Sequence, residues 1–314
     1  MECAIGIDLG GTSIKFALIN RSGDTYFENT IPSKANISKE AVILQLSKAI
    51  KELFVIAKSK GKRIIGIGIG TPGIIDKTER IVLGGAENIK EWENLPLANI
   101  LEEEFKLPTI IANDANMMGI GEAIYGAAKG YENVVFLTIG TGIGGAIIIG
   151  GKLFNGFDNR GTELGHVPFI ANGKHCECGS QGCLEAYAST SALIKDFSNQ
   201  YKGKEKINGK LIVKLYKEGN PIAIKCFEQH CDYLGHGIAG FINIFSPQKI
   251  VIGGGLSEAG SFYIKKITQR ALHYAMRDCA VNTDIIAAKL GNRAGYMGAA
   301  AAVFEKISGH AHKI

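Results

Sequence analysis

Two stretches 130 residues apart carry one pattern, and a chain that repeats a unit at that distance folds it twice. Ile7 to Ile19 lies over Leu137 to Ile149 without a gap, glycines over glycines and aliphatics over aliphatics. Each reads as an apolar strand, a glycine turn and a second strand, a β-hairpin. Glycines there let backbone N–H groups face an anion. The first turn offers Asp8, Gly10, Gly11 and the Thr12 hydroxyl; the second offers Thr141 and Gly142. Asp8 suits a magnesium ion held through water. Lys15, three residues past Thr12, reads equally as a phosphate contact or a solvated surface lysine. One such turn is weak, since Asp-Gly turns are common without a ligand. The length of the match argues against coincidence and for two related domains facing one nucleotide.

The rest of the chain alternates helix and strand, which predicts an α/β class. A helix from Ser38 places Ile43, Leu46, Ile50, Leu53, Phe54 and Ala57 on one face. RIIGIGIG follows as a strand ending in Thr71-Pro72-Gly73, then a short helix from Leu97 to Phe105 and the strand TIIA. That strand ends at Asn113-Asp114, where a helix begins and runs to about 128. Polar residues at the carboxyl end of a buried strand are where α/β folds place chemistry, yet Asp114 fits a helix cap as well. Later come a helix capped by Ser189 or Thr190, a long helix from Asn220-Pro221 to Phe245, and KIVIGGGLS. That strand brings Gly253, Gly254 and Gly255 to a loop where a purine or ribose can lie against bare backbone. An alanine-rich helix from Ala294 to Ile307 suits close packing. The domain boundary is expected inside the helix after Asp114: 1–118 joined by 296–314, and 119–295. Charged residues make up 21% and apolar residues 46%, ordinary for a folded globular chain. Lys plus Arg exceeds Asp plus Glu only by 35 to 30 without a basic block, so nucleic acid is not an expected partner.

The third signal is GTELGH followed, nine residues on, by CECGSQGCLE. Cys176, Cys178 and Cys183 with His166 make a tetrahedral donor set for zinc. His175 is a rival fourth ligand. Gly179 and Gly182 permit the tight turns. A disulfide would strand one cysteine, and no signal peptide precedes the first strand, so a reducing, cytoplasmic setting is expected. Glu163 and Glu185 flank the set, and a metal pinning this loop would fix both carboxylates. Cys226 and Cys231 read as plain core or surface thiols.

On DLGGT at Asp8, NDAN at Asn113, GTGIGG at Gly140, GTELGH, CECGSQGCLE and GGG at Gly253, the chain resembles the ROK family (repressors, open reading frames and kinases) of the sugar-kinase/actin-like superfamily. The resemblance spans nearly the whole chain. It implies two RNase H-like domains with a nucleotide and sugar cleft between them, ATP with Mg²⁺ on Asp8, Gly10, Gly11, Thr12, Lys15, Thr141, Gly142, Gly254 and Gly255, and a homodimer or tetramer. It implies zinc on His166, Cys176, Cys178 and Cys183, Asp114 as general base, and sugar contacts from Gly73, Asn113, Asp114, Glu163, His166 and Glu185. Met117, Met118 and GGAENIKEW depart from the pattern. Family repressors add an N-terminal DNA-binding domain, for which a hairpin starting at residue 4 leaves no room.

These readings lead to an ATP-dependent hexose 6-kinase of glucokinase type. Its rivals are an N-acylhexosamine kinase, a non-catalytic sugar sensor, which has no need of Asp114, and an actin-like ATPase, which has no need of the zinc knot.

Overall fold

The computed structural model describes residues 1–86 and 88–308. The strands and helices run β1 (Glu2–Leu9), β2 (Ser13–Asn20), β3 (Thr25–Pro32), α1 (Lys39–Ser59), β4 (Arg63–Thr71), β5 (Ile74–Ile75), β6 (Val82–Gly84), α2 (Leu97–Phe105), β7 (Thr109–Asn113) and α3 (Asp114–Ile124). They continue through β8 (Val134–Ile139), β9 (Ile143–Ile149), β10 (Lys152–Phe154), α4 (Glu185–Ala188), α5 (Thr190–Ser198), α6 (Gly209–Lys217) and α7 (Pro221–Phe245). The last are β11 (Lys249–Gly253), α8 (Ser261–Tyr274), α9 (Arg277–Ala280), β12 (Asp284–Ala287) and α10 (Ala294–Ser308). Contacts divide the chain into two units. One holds Met1–Gly130, Ile147–Thr162 and the chain from Asn292; the other holds Tyr131–Ala146 and Glu163–Gly291. All of α3 groups with the first unit, so this division falls beyond the boundary at 118 expected from sequence.

The repeat reappears as topology. One five-stranded sheet has the order β3-β2-β1-β4-β7 and the other β10-β9-β8-β11-β12. In each, a hairpin leads and parallel strands follow. β1 is buried from Cys3 to Leu9, as a strand covered on both faces must be. Ile5, Ile7, Ile67 and Ile69 share a core with Val42, Leu46, Ile50 and Leu53 of α1. The alternate positions face α10 and are glycine for a steric reason. A Cβ on Gly6 would lie 1.9 Å from the Tyr296 carbonyl oxygen, and one on Gly68 would lie 2.0 Å from that of Ala299. The pattern IIGIGIG is therefore one greasy face and one shaved flat for a helix backbone. The crossing of α3 and α10 uses the same device, since a Cβ on Gly298 would meet the Met117 oxygen at 1.7 Å.

Ser38 caps α1 by accepting the Ala41 N–H, and Asn220 caps α7 by accepting those of Ile222 and Ala223. α3 stops at Ile124, short of the expected 128. Cys226 and Cys231 are buried in α7. No helix among the described residues is long and apolar enough to cross a membrane.

His230 of α7 is 2% exposed, with Nε2 2.8 Å from the Tyr263 hydroxyl and Nδ1 without a partner among the described residues. Burial pushes its pKa down to about 3. Folding therefore requires the neutral ring, and its contribution is whole above the unfolded value near 6.5 and lost progressively as pH falls toward 3. At about 1.4 kcal/mol per pH unit, lowering pH from 7 to 5 removes roughly 2 kcal/mol. Urea unfolding should show that loss in the wild type and not in His230→Gln; equal losses would refute the assignment.

Candidate active site

In the first unit, Asp8 is 6% exposed and its carboxylate lies 3.3 Å from Nζ of Lys15, its partner across the β1–β2 ladder. Burial raises the Asp8 pKa and the Lys15 charge opposes the rise. Lys15 also lies 3.5 Å from Asn292 Oδ1. It is thus an ion-paired, half-buried lysine and not a solvated surface one. The Gly10 N–H donates to the Ser13 oxygen at 2.9 Å and closes the turn. Gly295, in the first turn of α10, makes the room Asp8 occupies: a Cβ there would fall 2.7 Å from the carboxyl carbon. A Cβ on Gly11 would meet Asn88 Nδ2 at 2.8 Å.

At the end of β7 the two polar residues take different work. Asn113 is the cap of α3, its Oδ1 accepting the N–H of Ala115 at 2.9 Å and of Asn116 at 3.3 Å. Its Nδ2 donates to the Gly73 carbonyl at 3.2 Å. Asp114 is the first helical residue, with Oδ1 2.9 Å from the Ala115 N–H. The cap and the candidate base are adjacent residues, and Asp114 is not the cap. Gly73 has φ +101°, and a Cβ on it would lie 2.6 Å from the Gly84 oxygen.

In the second unit, the ligand atoms of His166, Cys176, Cys178 and Cys183 all lie within 4.8 Å of one another. Donors 2.3 Å from one centre at tetrahedral angles stand about 3.8 Å apart. Cys178 Sγ and Cys183 Sγ are 3.7 Å apart, and Cys176 Sγ and His166 Nδ1 are 3.6 Å apart. The cluster therefore fits zinc in donor set and spacing. His175 is exposed and stands against Gln181, at 3.4 Å, outside it. Gly179 and Gly182 have φ of +87° and +74°, as the tight loop requires. Burial pushes the Cys176 thiol up to about 12 and Cys183 in the same direction, so thiolates here need a cation beside them.

The two flanking glutamates differ. Desolvation raises the Glu163 pKa, opposed by His166 and reinforced by Glu185, although the residue is exposed and solvent weakens all three effects. Glu185 is engaged elsewhere: Oε2 accepts the Ile143 N–H at 2.7 Å, just past the second glycine turn. A Cβ on Gly142 would lie 2.2 Å from that oxygen. Glu185 Oε1 is 3.8 Å from Cys176 Sγ. The cysteine loop and the Gly140–Gly142 turn are therefore braced by one carboxylate. Gly254, φ +94°, sits where a Cβ would be 2.2 Å from the Ile139 oxygen, against the end of β8 just before the second glycine turn.

Sequence reasoning missed several supports. A Cβ on Gly165 of GTELGH would meet the Ile143 oxygen at 2.1 Å, so that glycine seats Glu163 and His166 on β9. The Tyr187 hydroxyl accepts the Lys174 N–H at 2.6 Å and holds the start of the cysteine loop. Neither a glycine between two polar residues nor a tyrosine in a helix signals such a role. The stretch GGAENIKEW supplies Asn88 and Trp92 to the first unit.

Two like-ordered sheets, each led by a glycine-turn hairpin, define the actin-like ATPase fold of sugar kinases. A solved ROK family glucokinase from Streptomyces griseus, in complex with glucose and AMPPNP, superimposes with a TM-score of 0.83 at 30% identity, covering 95% of this chain and 98% of that one. The ROK family profile matches residues 4–306, and the chain belongs to that family. It is 34% identical to the glucokinase of Thermotoga maritima over 97% of this chain and 98% of that protein. It is also 33% identical to the xylose repressor of Caldicellulosiruptor bescii, covering 96% of this chain and 78% of the repressor.

Proposed function

We propose that this ATP-dependent sugar kinase phosphorylates the 6-hydroxyl of glucose, with Asp114 as general base. The observation that carries the reading is Asp114 itself, a carboxylate in the first turn of α3 beside an asparagine that takes over the capping. A sugar sensor has no use for a base at that position. The glucokinase relatives favour glucose among hexoses.

Phosphoryl transfer depends mainly on positioning and charge neutralisation. The N–H groups around Gly10, Gly11 and Gly142, with the Thr12 and Thr141 hydroxyls, hold phosphate oxygens, and Gly254 and Gly255 give the nucleoside bare backbone. Asp8 fits a Mg²⁺ site, where the ion supplies neutralisation of phosphate charge; Lys15 adds a second cation. Asp114 takes the proton of the attacking hydroxyl. Carboxylates accept paired hydrogen bonds from vicinal hydroxyls, so Glu163 and Glu185 read the ring with Asn113 and Gly73. His166, Cys176, Cys178 and Cys183 would hold zinc, which supplies a structural crosslink. With Nδ1 on the cluster side, His166 presents Nε2–H to a hydroxyl.

A panel of glucose, mannose, N-acetylglucosamine and N-acetylmannosamine, with ATP and coupled to ADP release, tests this. Glucose is expected to give the highest kcat/KM. A higher value for an acetamido sugar would replace the substrate assignment, and no turnover of any hexose would overturn the reaction.

A further inference from the structure

The loop between β6 and α2 carries most of the stretch GGAENIKEW. Its base is closed by a two-way backbone pair, the Val82 N–H to the Leu95 oxygen at 2.9 Å and the Leu95 N–H to the Val82 oxygen at 3.0 Å. One flank packs on Gly73, where the nearest atoms to an added Cβ are the Gly84 oxygen, Ala86 Cβ and Val82 Cγ1. Its Asn88 stands over Gly11 of the phosphate turn. The other flank carries Trp92, the only tryptophan of the chain, 2% exposed. Trp92 Nε1–H donates to Thr71 Oγ1 at 2.9 Å, and the Thr71 hydroxyl donates onward to the Pro72 oxygen at 3.2 Å. Thr71 is fully buried and is the ladder partner of Asn113, whose amide holds the next carbonyl, that of Gly73. On either side of Trp92, Glu91 and Asn94 have φ of +55° and +49°. Left-handed backbone at two non-glycine residues persists only where the surroundings over-determine it.

We infer that Trp92 is a positioning residue for the sugar side of the site. Its indole N–H fixes the Thr71 hydroxyl, which fixes the 71–73 turn that Asn113 joins to the start of α3, where Asp114 stands. The bond ties the loop to the last residue of β4, directly beside Asn113 at the end of β7, the strand that leads into the candidate base. The loop thereby has a part in both the phosphate turn and the sugar turn of the first unit. This rests on the kinase reading above.

The test compares wild type, Trp92→Phe, Thr71→Val and the double variant, assayed with glucose and ATP well below their melting temperatures. Each single variant removes one partner of the bond; Thr71→Val does so without a large void. Each is expected to lose about tenfold in kcat/KM for glucose, mostly in glucose KM, the scale of one buried hydrogen bond. The double variant should lose no more than about threefold beyond the worse single one. Amide exchange at residues 71 and 73–75 of the unliganded protein should quicken in both single variants. Unchanged kcat/KM in Thr71→Val, additive losses, or unchanged exchange would each overturn the role of Trp92. Absence of hexose turnover in the wild type sinks the kinase reading instead, and the exchange measurement still decides the anchor.

Discussion

Asp114→Asn is expected to lower kcat by at least ~10², the usual worth of a general base, while glucose binding stays within a few-fold of wild type. The structure makes this substitution clean. Asp114 Oδ1 accepts the Ala115 N–H, and an asparagine oxygen accepts it equally well. The cap of α3 belongs to Asn113, so the helix keeps its start. What is lost is the capacity to take a proton. Steady-state kinetics with calorimetric glucose titration separate the two quantities. A variant retaining more than about a tenth of wild-type kcat would remove Asp114 from the base role.

The second large effect concerns the cysteine cluster. Purified protein is expected to carry about one zinc per chain, given four donors at tetrahedral spacing. Cys178→Ser should free the segment that seats Glu163, His166 and Glu185, and glucose affinity should fall by about 10² or more as several hydrogen bonds are lost together. Nucleotide affinity should also fall, by several-fold, because Glu185 braces the turn through the Ile143 N–H. Paired calorimetric titrations with glucose and with AMPPNP measure both. Unchanged glucose affinity would show that the cluster does not organise the sugar contacts. An unchanged nucleotide affinity would show that the Glu185 brace is not needed by the turn.

Much of the architecture is legible because it is periodic. The hairpin repeat, the apolar faces of α1 and α7 and the caps Ser38 and Asn220 are local patterns, and local patterns survive into the fold. The edge strand β3 and the helix α8 were not legible: β3 has mostly exposed or half-exposed side chains and no burial alternation to read. In the site, residue types with few alternative uses stand out, such as three cysteines within eight residues or a strand ending in Asn-Asp. What stays hidden is the long-range partner. Nothing near Glu185 announces the Ile143 N–H forty-two positions away, and nothing near Trp92 announces the Thr71 hydroxyl. The alternating glycines of β4 were visible as letters, but their reason is a helix more than two hundred residues later.

That helix sets an order for synthesis. The face of β1 and β4 flattened by Gly6, Gly66 and Gly68 has its cover in α10, the last helix described, while the other strands of the sheet are complete by Asn113. A ribosome extending at ~5–20 residues per second releases the sheet roughly 10–40 s before its cover. During that interval the nascent first unit presents a bare, glycine-lined face that no side chain protects, while the second unit is still being made. A chain arrested before Ala294 should therefore be a client for chaperones, and supplying α10 as a separate peptide should rescue the fragment.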